Sequence, residues 1–165
     1  MANIYLDYAA TSRKHFDIIE KNMNILKEVY ANPSSSHTLG KKNDRLVREG
    51  REKIAKTLNA SSNEIIFNSG GTESNNTAII GYCLRHQDRG KHIITTAIEH
   101  HAVLEPIEYL VEKFGFEVTI LEPENQEITP EQVKNALRED TILVSTMFAN
   151  NETGTLLPIA EIGKV

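Results

Sequence analysis

An α/β body with a mainly parallel sheet and flanking helices, preceded by a helical N-terminal segment, is the fold class this sequence predicts. Two observations predict it. Short runs rich in Ile, Val, Thr and Phe recur at Glu64–Phe67, His92–Thr96, Phe116–Leu121 and Thr141–Met147, and the gap after each is long enough for a helix. Strands alternating with helices of that length form βαβ units, which lay the strands parallel.

The elements follow in order. Ile4 to Leu6 is a short apolar piece, and "DYAATS" after it reads as a turn or a helix cap. From Phe16 to Tyr30, the residues Phe16, Ile19, Met23, Leu26 and Tyr30 stand three or four apart, the spacing of one helical face. "ANPSSSHTLG" breaks that helix with Pro33 and a serine cluster. A second helix is expected from about Lys41 to Leu58, with Leu46, Val47, Ile54 and Leu58 inward. Between the strands, helices are expected over Thr72 to Arg89, Ala102 to Phe114 and Pro130 to Glu139. Thr129 followed by Pro130 is a helix start, because the hydroxyl caps and proline tolerates the first position. Pro158 opens a further helical pattern with Ile159 and Ile162 on one side. That pattern runs about two turns to Val165, so the expectation is a βαβ succession cut short.

Bulk properties narrow the function classes. A chain of 165 residues with 39% hydrophobic and 25% charged residues can bury a real core, which argues against disorder. The net charge of -5 argues against a nucleic-acid partner. The densest basic stretch, Lys41 to Lys56, is interleaved with Asp44, Glu49 and Glu52, as a solvated helix face would be. Cys83 is the only cysteine, so no intrachain disulfide forms; within a helix it reads as a buried core thiol. "MANIYLDYAATSRKH" has no apolar core of a secretory signal, and no run is long enough to cross a bilayer. A cytoplasmic protein without a membrane partner is expected.

In open α/β sheets, ligands gather at the carboxyl ends of the strands. Three segments fall there. In "NSGGTESNN", Gly70 and Gly71 allow a tight turn, and the N–H groups opening the next helix attract an anion. The Thr72 hydroxyl adds a donor for a phosphate. Neither a P-loop nor a G-x-G-x-x-G pattern is present, and a plain capped helix start accounts for the same residues equally well. In "AIEHHAV", His100 and His101 are adjacent and cannot share one face, which disfavours a metal pair. One of them suits stacking on a planar ligand or moving protons; two exposed loop histidines are the simpler alternative. In "FANNETG", Asn150 and Asn151 suit hydrogen bonding to a neutral or phenolic oxygen and Gly154 a tight turn, although alone this is an ordinary turn signal. Together the three suggest a phosphate, a flat ring and a ring oxygen. Pyridoxal 5'-phosphate has all three.

"YLDYAATS", "NPSSSHTLG", "FNSGGTESNN", "AIEHHAV", "DTILVSTMFANNETG" and "PIAEIG" resemble the N-terminal half of cysteine desulfurases of the NifS/IscS group. These are class V aminotransferase-family, fold type I pyridoxal-phosphate enzymes. The resemblance covers essentially the whole chain, in order. It implies a helical segment, 1–60, contributing to a small domain and an interface, and an incomplete cofactor-binding large domain, 61–165. It implies that Gly71 and Thr72 bind the cofactor phosphate, that His100 stacks on the ring and is catalytic, and that Asn151 bonds the phenolic oxygen. Ala9 and Asn32 lie in segments that line the substrate pocket of such enzymes. L-cysteine as substrate, a sulfur-acceptor protein as partner and a homodimer follow from the same resemblance. So does an expectation about what is missing. The Schiff-base lysine and the persulfide cysteine of the family match no residue here, since Lys164 and Cys83 fall at other positions, so the chain alone is expected to be inactive. A selenocysteine lyase type of enzyme and a non-catalytic half-site module are the alternatives.

Overall fold

The computed structural model describes residues 4–124 and 127–165. The chain divides into two units, one ending at Phe67 and the other beginning at Asn68.

The first unit holds two helices, α1 (Phe16–Glu28) and α2 (Thr38–Thr57), and a 3-10 turn over Ser62–Glu64. Helix α2 starts three residues before the expected Lys41 because His37 caps it, Nδ1 accepting from Gly40 N at 3.2 Å. Asn43 donates to Ala31 O at 2.7 Å, and Gly40 is pressed against Ser35, where any Cβ would stand 2.3 Å from its carbonyl oxygen. Two expectations fail in this unit. The α2 residues expected inward, Leu46, Val47, Ile54 and Leu58, are exposed, and the apolar face of α1 likewise has no buried residue. Helical periodicity marks a face that can be covered, and among the described residues of this unit no element lies over it. Glu64–Phe67 is likewise no strand. Its backbone is extended at Ile65, but a strand needs a ladder partner, and none pairs with it among the described residues. Ile66 is 72% exposed, and Arg51 holds the segment by donating to the Ile65 carbonyl.

The second unit is the expected α/β body. Its elements are α3 (Gly71–His86), β1 (His92–Thr96), α4 (His101–Phe114), β2 (Glu117–Leu121), α5 (Pro130–Ala136), β3 (Thr141–Val144) and α6 (Ile159–Ile162). The three strands form one parallel sheet in the order β2-β1-β3. The central strand β1 is buried at every residue, which explains why it reads as an unbroken run instead of alternating. Ile93 and Ile94 are adjacent and so face opposite sides. Ile93 packs with Ile79 and Cys83 of α3 and with Val103, Ile107 and Leu110 of α4. Ile94 packs with Leu121, Ile128, Val133, Leu157 and Ile162. The expected helix at Thr129–Pro130 forms with a full capping box: Gln132 N donates to Thr129 Oγ1 at 3.2 Å and Thr129 N to Gln132 Oε1 at 2.8 Å. Three ends are shorter than expected. Helix α3 stops at His86, α5 at Ala136 and β3 at Val144, although Ser145 N still reaches Ile94 O at 2.9 Å.

One buried polar group stitches the sheet. His92 is fully buried; its Nδ1 lies 2.7 Å from Thr141 Oγ1 on β3 and its Nε2 lies 2.8 Å from Thr119 Oγ1 on β2. Burial holds its pKa below the ordinary imidazole value, and the nearby Arg138 charge adds to this, opposed by Asp140 and Glu117. The unfolded chain therefore takes up this proton first. The stabilisation is complete above about pH 6.5 and is lost as pH falls from there toward the lower folded value. Melting temperature is expected to fall more steeply between pH 7 and 5.5 for the parent than for His92→Gln; equal slopes would contradict it.

Candidate functional site

Topology places the ends that matter. Helix α3 leads through a short turn into β1, so it runs back along the sheet and its N-terminus lies toward the carboxyl ends of the strands. Its 16 residues span about 24 Å against about 16 Å for the five of β1, enough to reach past the strand ends.

The Gly70–Gly71 turn opens α3. Gly70 has extended backbone and offers no side-chain cap. The first helical bond runs from Ser74 N to Gly70 O at 3.0 Å. Among the described residues nothing accepts from the N–H groups of Gly71, Thr72 and Glu73, as expected for a first turn. Space over Gly70 and Gly71 is open, with nothing within 4 Å of an added Cβ. The loop before it is built by side chains: Asn68 Oδ1 accepts from Gly70 N at 3.2 Å, and Glu73 accepts from Ser69 N at 2.7 Å and from its hydroxyl at 2.6 Å. Those two bonds hold the Glu73 carboxyl below its ordinary range and turn its charge back onto the loop. Unpaired donors, open space and the positive end of a 16-residue helix fit a phosphate.

His100 is the N-cap of α4: its Nδ1 accepts from Ala102 N at 3.0 Å. That bond fixes the ring and, in the neutral form, leaves the proton on Nε2. The ring is exposed, and His101 stands edge-on to it with centroids 6.3 Å apart. A fixed, exposed ring on a strand end fits stacking on a flat ligand, and the Nε2 proton can be transferred.

The two asparagines, alike in sequence, differ in role. Asn150 is 8% exposed and builds the turn: Oδ1 accepts from Glu152 N at 2.9 Å and Thr153 N at 2.8 Å, while Nδ2 donates to Ile98 O at 3.0 Å. Gly154, with φ of 74°, closes the turn in the left-handed region, its N–H donating to Asn150 O at 2.9 Å. Asn151 is exposed, with Nδ2 resting on Glu152 Oε1 at 2.8 Å. It is the asparagine that can exchange its partner for a ligand oxygen.

The turn bearing His100 and the turn bearing Asn151 are joined. Glu99 accepts from Met147 N at 2.6 Å, and Asn150 donates to Ile98 O across the same gap. Gly71 and Thr72 share this end of the sheet by topology, with no hydrogen bond to either turn among the described residues. Ala9 and Asn32 belong to the other unit, where Asn32 Oδ1 accepts from Ser34 N at 2.9 Å. Asn150 as the turn-builder and Glu99 as a tie were not assigned these roles by sequence reasoning. The only hint of the second was a carboxylate placed directly before His100 at a strand end.

Cys83 is fully buried in α3, and burial pushes its thiol up to about 11. Since the thiolate is the reactive form, this thiol is suited to packing and not to carrying a transferred group.

Known proteins share this arrangement. The family model described as Aminotransferase class-V matches residues 4–165. A cysteine desulfurase IscS of Dictyoglomus turgidum is 52% identical over 98% of the chain, and one of Methanosarcina thermophila is 46% identical over 98%. The chain spans about two-fifths of the length of these relatives, 41% and 40%. Among solved structures, SspA in complex with cysteine superposes with a TM-score of 0.89 at 38% identity over 97% of this chain and 46% of that one. A NifS-like protein gives 0.90 at 38% identity over 94% and 43%. With the family model matching residues 4–165 and relatives about half identical along nearly its whole length, the chain belongs to the class-V aminotransferase family.

Proposed function

We propose that this chain forms the phosphate-and-ring side of a pyridoxal 5'-phosphate site in a cysteine desulfurase. The observation that carries it is the α3 N-terminus, three unpaired N–H groups beneath an open Gly70–Gly71 turn, at the sheet end that also presents His100 and Asn151. Family membership and relatives bearing the name cysteine desulfurase support the reading. When bound, the cofactor supplies a ring that draws electrons from the substrate bond being broken.

The remaining roles belong to the chain. Gly71 and Thr72 bind the phosphate through backbone N–H groups and the Thr72 hydroxyl. His100 lies against the ring, oriented by Ala102 N, and holds a proton on Nε2 for the departing group. Asn151 leaves Glu152 to donate to the phenolic oxygen. The reaction of the whole enzyme would be L-cysteine plus an acceptor thiol giving L-alanine plus a persulfide; this balances in atoms and electrons without an outside oxidant. Cys83 is not that thiol. A sulfur-acceptor protein, a homodimer and a cytoplasmic setting complete the proposal.

The test is a pyridoxal 5'-phosphate titration followed by absorbance and ligand fluorescence. Thr72→Val, which removes the hydroxyl and keeps the shape, is expected to weaken binding about tenfold, the worth of one hydrogen bond to a charged group. Pyridoxal without its phosphate is expected to bind far more weakly than the phosphate ester. Equal binding of the two ligands would sink the phosphate cup.

A further inference from the structure

Glu99 is a half-buried carboxyl one residue before His100, and its Oε1 accepts from Met147 N at 2.6 Å and from Thr96 Oγ1 at 2.9 Å. Thr96 ends β1 and Met147 lies between β3 and the Asn151 turn, so one side-chain oxygen spans the two strand ends. Burial raises the Glu99 carboxyl above its ordinary range, opposed by the two donors. A carboxylate placed there costs desolvation energy that a small apolar residue would avoid. Neither partner is charged, so the group does not form an ion pair. Among the described residues its hydrogen bonds tie the backbone after β3 to the end of β1, four residues before Asn151 on one side and one residue before His100 on the other.

We propose that Glu99 is a positioning residue that sets the separation of the His100 ring from the Asn151 amide, and so the fit of a flat cofactor ring between them. This rests on the cofactor site proposed above. The tie does not extend to the Gly71–Thr72 turn, so it is expected to govern the ring and not the phosphate.

That difference supplies the test. The full chain, Glu99→Ala and Glu99→Gln are titrated with two probes, pyridoxal 5'-phosphate and inorganic phosphate. Glu99→Ala is expected to weaken pyridoxal 5'-phosphate about tenfold and inorganic phosphate less than about twofold, as loss of a supporting shell does. The glutamine oxygen still accepts from Met147 N and Thr96 Oγ1, so Glu99→Gln is expected to restore binding to within about twofold of the parent. In amide NMR spectra, the His100 and Asn151 resonances are expected to move in Glu99→Ala and to return in Glu99→Gln.

Unchanged pyridoxal 5'-phosphate affinity in Glu99→Ala, an equal loss for both probes, or no rescue by glutamine would each overturn the proposal. Should Glu99→Ala unfold, Thr96→Val removes one of the two donors and is expected to weaken pyridoxal 5'-phosphate about threefold with inorganic phosphate unchanged; no change would overturn it. If the parent binds the cofactor no better than inorganic phosphate, the cofactor reading fails. The NMR comparison then decides the tie by itself: coupled movement of His100 and Asn151 supports it, and independence overturns it.

Discussion

Leu110→Ala is expected to lower the unfolding free energy of the second unit by about 3–4 kcal/mol, in the middle of the range for a buried leucine. Leu110 is fully buried on α4, and its neighbours come from three other places: Ile79 and Cys83 on α3, Ile93 on β1, and Phe116 before β2. A cavity there cannot close by sliding one helix, because the parallel ladder fixes β1 and the Gly115 turn fixes the end of α4. Gly115 adopts φ of 67° and its N–H donates to the Leu110 carbonyl, which the substitution leaves in place. The loss is therefore packing and transfer energy, without a lost cap. For a unit running from Asn68 to Val165 this corresponds to a fall in melting temperature of roughly 15–20 °C. Urea unfolding followed by far-UV circular dichroism measures it. A loss below about 1 kcal/mol would mean that the α3–α4–β1 core is loosely packed.

How much of this was legible in the sequence depends on whether a feature is local. The strand His92–Thr96, the capped helix start at Thr129–Pro130 and the tight turn at Gly154 were readable, because each rests on residues within a few positions of one another. The parallel sheet was readable too, since alternation of strand and helix lengths leaves few other topologies. Ile65–Phe67 was not. Its composition is that of a strand, but pairing depends on a partner elsewhere, and extended backbone without a ladder looks identical in sequence. The stripes of α1 and α2 mislead for the same reason: periodicity says which face can be covered, never what covers it. At the site, the distant ties were invisible. Glu99 and Met147 are 48 residues apart, and Asn150 and Ile98 are 52 apart. His92 could have been suspected as a polar residue opening an apolar strand, with Thr119 and Thr141 on the flanking strands.

Asn150→Ala is expected to cost about 3 kcal/mol and to loosen the turn that presents Asn151. The amide is nearly buried and used on both sides. Its oxygen accepts from the backbone N–H groups of Glu152 and Thr153 and from the Thr153 hydroxyl at 3.2 Å, and its nitrogen donates to Ile98 O. Alanine leaves two turn N–H groups and the Ile98 carbonyl to find water or go unpaired, which is where the cost arises. Asn150→Asp separates the two halves of that loss. An aspartate keeps the acceptor for Glu152 and Thr153 but sets a carboxylate oxygen against the Ile98 carbonyl. If the turn itself dominates, Asp should recover most of the stability; if the link to the His100 turn dominates, Asp should be as damaging as Ala or worse. Three of the four hydrogen bonds lie within the turn and one crosses to Ile98, so Asp is expected to recover most of the stability while the cross-link stays broken. Hydrogen exchange is therefore expected to show Glu152 and Thr153 protected in Asn150→Asp and unprotected in Asn150→Ala. The His100 region should shift in both. Protection of both amides in Asn150→Ala would show that the Gly154 turn, closed by the Gly154 N–H on the Asn150 carbonyl, holds without the side chain, and that the asparagine is not what places its neighbour.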